Sequence, residues 1–237
     1  MRMLEPVVLS LALAIGAAVA TPLRAGEKTV VVELFTSQGC SSCPPADALM
    51  EKLVAKDHVI ALSLHVDYWD YIGWKDRFAD PAYTARQKAY ARSSGRNMVY
   101  TPQMIVNGID QVVGAKPMEL ADVITAHAGA ERRAEVMVER DGDRLRIGLL
   151  PLGEGRGGAY VLQLVRYTDE RTVKITRGEN AGQTITYLHV VDGWETIGDW
   201  DGVSVKSIEA RIDGDRPAVI LVQEQGPGQI IAAAELD

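Results

Sequence analysis

A mixed α/β unit followed by an all-β, sandwich-like unit is the architecture this sequence predicts, and two observations carry it. In the first half, apolar β-branched runs at 29–35 and 58–66 flank a stretch whose apolar residues recur at helical spacing. From about residue 133 the period drops from helical to strand-like. Short apolar runs separated by Gly, Asp and Pro clusters then continue to the C-terminus. The predicted units are therefore 26–132 and 133–237, with residues 1–25 set apart.

Residues 1–25 read as a signal peptide. Arg2 precedes an uncharged Val, Leu and Ala run at 7–20, which ends in the small-x-small pattern Ala18-Val19-Ala20; Ala25 is a second candidate end. A bilayer span needs about 20 apolar residues, and this run is shorter. The expected location is periplasmic or secreted, with no stable membrane insertion after cleavage.

Each element of the first unit has a local cause. The run TVVVELF is a buried strand, followed by a short loop and then Cys40 and Cys43. From Pro44, the residues Ala46, Leu49, Met50, Leu53 and Val54 form a helical stripe, and prolines suit a first turn whose N–H groups lack helical partners. The run HVIALSLHV is a second strand, parallel to the first because a helix crosses between them. An aromatic loop at 67–78 follows. Asp80-Pro81 caps a helix reaching about Ser93. A strand at 99–107 ends in Asn107-Gly108, a hairpin signal, with a short antiparallel partner at 111–113. Pro117 opens another helix, striped by Leu120, Val123, Ile124 and His127 and stopped at Gly129. Beyond it, Asp141-Gly142 marks a further hairpin, and strands are expected at 203–212, 218–223 and 229–234.

Composition narrows the function classes. Hydrophobic residues at 47% and charged residues at 24% are ordinary globular usage, so a folded chain is expected. The formal charge of −7 becomes −8 when residues 1–25, carrying two arginines and one glutamate, are removed. Such a chain is poorly suited to phosphate backbones, and nucleic-acid partners are set aside.

The chain's 2 cysteines stand as a Cys-x-x-Cys pair. In the chain-entropy picture so short a loop stabilises by only about 2 kcal/mol, so the spacing favours chemistry over stapling. A thiolate is the reacting species, and a helix N-terminus lowers its pKa. Cys40, where loop meets helix, is the expected nucleophile; Cys43, one turn in and less exposed, would resolve the mixed disulfide. A closed zinc site needs four ligands, and no second Cys pair or Cys-His spacing is present. No metal or bound cofactor is expected, although two soft thiolates leave Cu(I) handling open.

The segments ELFTSQGCSSCPPAD and YTPQMIVNG, with the cysteines between strand and helix, resemble the thioredoxin superfamily. The resemblance implies a thioredoxin-like first unit, a cis peptide at Thr101-Pro102, and contact of those two residues with substrate backbone. More narrowly, these segments together with HVDYWDYIGWKD and RGENAGQTITYLHVV resemble a secreted bacterial family catalogued as domain of unknown function 1223. Two departures from the thioredoxin pattern stand out. Ser37-Gln38-Gly39 replaces the aromatic residue usually found before the first cysteine, and the stretch from Cys43 to Pro102 is longer. Both point to a reshaped substrate surface.

Other residues carry two readings each. Glu33 lies near where thioredoxins place a buried acid, so it is a candidate proton relay or else a hydrogen-bonded strand carboxylate. His65 and Asp67 follow the second strand, at the end of a sheet where ligands bind, and are candidates for tuning the thiols. Trp69, Tyr71, Trp74 and Phe78 form a substrate platform or cap the sheet. Arg86, Lys88, Arg92 and Arg96 read as a solvated helix face or else a surface for an acidic partner, and His127 and His189 as structural. The segment RGENAGQ is a candidate docking loop between the units. The expected function is thiol–disulfide exchange with a protein or a small thiol. The alternatives are a non-enzymatic binding or assembly module and Cu(I) handling.

Overall fold

A computed structural model describes residues 29–155 and 157–236 of the chain; the expected signal peptide lies outside them. The apolar run Val30–Thr36 forms β1, wholly buried because a central strand is covered on both faces. Pro44–Val54 forms α1 and Val59–His65 forms β2, which pairs with β1 in parallel from Val30↔Val59 to Thr36↔His65. A 3-10 turn, Asp70–Ile72, sits in the aromatic loop. Pro81–Ser93 forms α2, whose Asp80 cap accepts from the N–H of Ala82, a contact worth about 1 kcal/mol. Gln103–Val106 and Asp110–Val113 form β3 and β4, joined at Asn107 and Gly108. Their φ angles of 44° and 75° are the left-handed pair that the two central positions of a type I′ turn demand, and the Ile109 N–H closes that turn onto the Val106 carbonyl. A side chain at Gly108 would also place its Cβ 2.3 Å from the Gly228 carbonyl oxygen. Pro117–Ala128 forms α3.

Seven more strands follow: β5 (Ala134–Asp141), β6 (Arg144–Pro151), β7 (Tyr160–Lys174), β8 (Thr184–Trp200), β9 (Lys206–Arg211), β10 (Ala218–Glu224) and β11 (Ile230–Leu236). They do not all form a separate sheet. One eight-stranded sheet runs β11-β10-β7-β8-β2-β1-β3-β4, while β5-β6-β9 form a second, three-stranded sheet. The join between β2 and β8 is one parallel bridge, Ser63↔Val190, helped by the Ser63 hydroxyl donating to the Leu188 carbonyl at 2.7 Å.

Strand alternation distributes the core. Val30, Val32 and Leu34 face α1 and α3 with Met50, Leu53, Leu120 and Ile124. Val31 and Phe35 point the other way, toward Tyr83 and Tyr90 of α2 and toward Val165, Val219 and Leu221. The small sheet supplies Leu145, Ile147 and Leu149 to a third cluster with Leu162, Leu164, Ile220 and Val222 of the large sheet. That face-to-face packing is the sandwich-like part of the molecule.

Three expectations need correction. Strands of even, short length were expected after residue 133, but β7 and β8 run 15 and 17 residues. They form a long hairpin that turns at residues 175–183, where the RGENAGQ turn signals lie, and cross-strand pairing carries both strands through their polar stretches to bring that tip to the first unit. The strand expected at 203–212 is confined to Lys206–Arg211, because Asp201 folds the preceding residues into a turn by accepting the N–H groups of Val203 and Ser204. The strand expected at 99–107 starts only at Gln103, after the cis Thr101–Pro102 peptide.

Candidate functional site around a buried disulfide

Cys40 and Cys43 are disulfide-bonded, with Cα atoms 5.4 Å apart. They bridge the loop after β1 to the start of α1, where Cys43 is the N-cap residue in helical conformation. Both are fully buried, which corrects the expectation that Cys40 is the exposed one. Only Ser41 and Ser42 between them reach solvent. The N-terminus of α1 is also a weaker anion site than the sequence pattern implied. Pro44 and Pro45 have no N–H to offer, and the N–H groups of Cys43, Ala46 and Asp47 are already donated to backbone carbonyls.

The cover over the disulfide comes from far along the chain. Asn180, at the tip of the β7–β8 hairpin, is buried and donates its amide Nδ2 to the carbonyls of Gln38 (3.0 Å) and Cys40 (2.9 Å). The RGENAGQ segment is thus a docking loop between the two halves. The aromatic loop closes the other side. Trp74 donates its indole N–H to Gln38 Oε1 at 2.8 Å, and Trp69 donates to the Thr101 hydroxyl at 2.7 Å. Gly39, the residue before Cys40, sits close against Trp69: a Cβ there would lie 3.2 Å from the Trp69 Cβ and crowd it. Through Trp69, the cysteine loop and the cis Thr101–Pro102 peptide are brought together. Trp74 and Phe78 pack with Val173, Ile175 and Tyr187, so these aromatics cap the sheet; Tyr71 alone among the four is largely exposed, at 81%.

Behind the disulfide lies a buried cluster of ionisable groups. Asp47, on α1, accepts from the Thr36 hydroxyl at 2.7 Å. Burial pushes its carboxyl up to about 7, although the Thr36 bond and the charge of His65 pull the other way. His65, at the end of β2, places Nδ1 2.7 Å from Asp76 Oδ2, and both side chains are fully buried. Burial works against the Asp76 carboxylate, but the charge and hydrogen bond of His65, with the N–H groups of Gln38 and Phe78, hold it below the ordinary carboxylate range. Tyr187 of β8 lies edge-on to the His65 ring at 4.8 Å, and burial keeps its hydroxyl protonated. Asp47 Oδ2, His65 Nε2 and the Tyr187 hydroxyl have no hydrogen-bond partner among the described residues.

The structure does not bring Glu33 to this cluster. Its side chain points to the α2 face, where Arg86 pairs with it at 2.6 Å and the Tyr90 hydroxyl donates to it at 2.5 Å. Gln223 of β10 accepts from Arg86 and donates to the Tyr90 hydroxyl, tying the second half of the chain into the group. Arg86, expected on a solvated face, is instead nearly buried beneath the Trp194 ring, 4.0 Å away; Lys88, Arg92 and Arg96 are exposed. Asp67 accepts from Thr84 of α2 and fixes the start of the aromatic loop. His127 bridges Asn107 and Asp110, while His189 stacks on Tyr167 and bonds the Ala61 carbonyl.

Sequence reasoning did not single out Asp47 or Asp76. A usable signal existed for Asp47, which stands one helical turn after Cys43 on the face that the stripe Ala46, Met50 and Leu53 marks as buried. Among the described residues, no group of three or more His, Cys, Asp or Glu side chains could hold a metal ion, and no helix is long and apolar enough to cross a membrane.

Fold and site together define an α/β protein with an added β-sheet and one Cys-x-x-Cys disulfide sealed between its halves. The chain belongs to the family described as "Protein of unknown function (DUF1223)", matched over residues 31–223. It is similar to a crystal structure of a protein from Agrobacterium tumefaciens, with 37% identity and a TM-score of 0.76, covering 90% of this chain and 96% of that one. It also shares its fold with HBP35 of Porphyromonas gingivalis, at 17% identity and a TM-score of 0.64, covering 90% of this chain and 76% of that one. No curated protein matches.

Proposed function

We propose that this chain is an exported thiol–disulfide oxidoreductase whose first unit is thioredoxin-like and whose reacting groups are Cys40 and Cys43. The observation that carries the reading is the position of the disulfide, between the end of β1 and the start of α1, with Thr101–Pro102 held beside its loop by Trp69. The signal-peptide pattern of residues 1–25 supports export, and an oxidising compartment is where such a disulfide persists.

Cys40 is the nucleophile that forms a mixed disulfide with a protein or small-thiol partner, and Cys43 resolves it. Thr101 and Pro102 line the approach for substrate backbone. Access requires the β7–β8 tip to lift, because Asn180 holds the backbone of Cys40 itself. The prolines after Cys43 weaken thiolate stabilisation. A less stabilised thiolate makes the reduced form less favoured, which places the pair toward the reducing end of the thioredoxin range.

The complete burial of both sulfurs favours a second reading, a non-enzymatic binding or assembly module in which the disulfide only fixes the docking of the hairpin tip. Reduced mature protein mixed with oxidised glutathione separates the two. The oxidoreductase reading expects exchange in the wild type, a trapped mixed disulfide in Cys43→Ser, and no reaction in Cys40→Ser. A wild type that exchanges no faster than free cysteine, with no adduct in Cys43→Ser, supports the binding module instead.

A further inference from the structure

Once the exchange chemistry is granted, the Cys43 thiol poses a problem that the exchange reading leaves open. It is sealed from water, yet it must lose a proton to attack and regain one when it leaves. The acid of β1, Glu33, is committed to Arg86 and Tyr90 on the other face of the sheet. Cys43 already has helical backbone angles, so Asp47 is its i+4 neighbour on the same helix face, and the Asp47 N–H donates to the Cys43 carbonyl at 3.0 Å.

We propose that Asp47, backed by the His65–Asp76 pair, is the group that exchanges a proton with the buried Cys43 thiol. The inference rests on the oxidoreductase reading. In the resolving step the Asp47 carboxylate takes the proton of Cys43 as its sulfur attacks Cys40 Sγ. The Cys40–Cys43 bond forms, the bond from Cys40 to the partner sulfur breaks, and the partner leaves as a thiolate that takes a proton from water. The dithiol is oxidised and the partner disulfide reduced; the reverse reaction returns the proton from Asp47 to Cys43.

Several features suit Asp47 to this task. It is buried with one carboxylate oxygen, Oδ2, left without a partner. Its carboxyl titrates at about 7, where a general base transfers protons with least waste at neutral pH. The titratable groups facing it are His65 from β2, Asp76 from the aromatic loop, and Tyr187 from β8, with Cys43 on its own helix. The His65–Asp76 pair lies against Asp47, with His65 favouring its ionised form and Asp76 opposing it. Acting through Cys43, Asp47 is a positioning and proton-exchange residue and does not touch the substrate.

The test is a stopped-flow reaction of reduced mature protein with one equivalent of 4,4′-dithiodipyridine between pH 5 and 9. The first thiopyridone release reports attack by Cys40 and the second reports resolution by Cys43. The proposal expects Asp47→Asn to slow the second release at least tenfold at pH 7 and to erase its inflection near pH 7, while the first keeps its wild-type rate. Thr36→Val keeps the acid but removes the bond that favours its charged form, so the inflection should move to higher pH; this variant carries the test if Asp47→Asn misfolds. A second release in Asp47→Asn with the wild-type pH profile overturns the proposal and leaves the exchange reading standing. A wild type that releases no thiopyridone sinks both.

Discussion

Replacing Asp47 by asparagine should stabilise the oxidised protein at alkaline pH and hardly change it in acid. The amide keeps the shape of the side chain and still accepts the Thr36 hydroxyl, so the lost ionisation is the main change. In the folded chain this carboxyl titrates at about 7, against 3.8 in the open. Because the folded value is the higher one, the unfolded chain gives up the proton first. Folding therefore loses stability as pH climbs from about 4 to about 7. Each factor of ten in the proton equilibrium is worth about 1.4 kcal/mol, so the full penalty is about 4 kcal/mol at pH 8. It falls to less than about 1 kcal/mol at pH 4. Urea unfolding of both proteins, disulfide intact, reads the difference directly. The variant should gain about 4 kcal/mol over the wild type at pH 8 and almost nothing at pH 4. A difference that stays flat between the two would refute the sealed environment assigned to Asp47.

Two other perturbations follow from the same geometry. Arg86→Leu leaves the Glu33 carboxylate buried without its partner, and unfolding should become easier by about 3–5 kcal/mol; a loss under about 1 kcal/mol would mean that the group is hydrated. Asn180→Ala removes two hydrogen bonds from the cover, worth roughly 1 kcal/mol each. Opening is then easier by about thirty-fold, and reduction of the disulfide by dithiothreitol should accelerate by a similar factor; an unchanged rate would place the barrier to access elsewhere.

Much of the first half was legible because its signals are local. Asp80-Pro81 caps α2 where the sequence pattern puts it, and the observed helix runs from Pro81 to Ser93. Asn107-Gly108 turns the β3–β4 hairpin with both residues at positive φ. What escaped sequence reasoning depends on contacts across the chain. An aspartate in a first helical turn ordinarily faces water and favours the helix dipole. Asp47 is buried because β8, whose Tyr187 shares its cluster, packs against α1. Arg86 reads as one of four cations on a polar helix until Trp194 and Gln223, from distant strands, close over it. The join at Ser63↔Val190 is one bridge, too short to leave a periodic trace. Nor does a turn-rich segment such as RGENAGQ announce that Asn180 will hold a residue 140 positions away.

The reduction potential of the Cys40–Cys43 pair tests the central claim most directly. Thiol labelling of mature protein across glutathione and dithiothreitol buffers gives it. A redox-active pair with a thiolate weakened by Pro44 and Pro45 should lie between about −200 and −300 mV, near thioredoxin and far from the strong oxidants at about −120 mV. A value below about −300 mV, where structural disulfides lie, would contradict the account and make the disulfide a fixture of the fold.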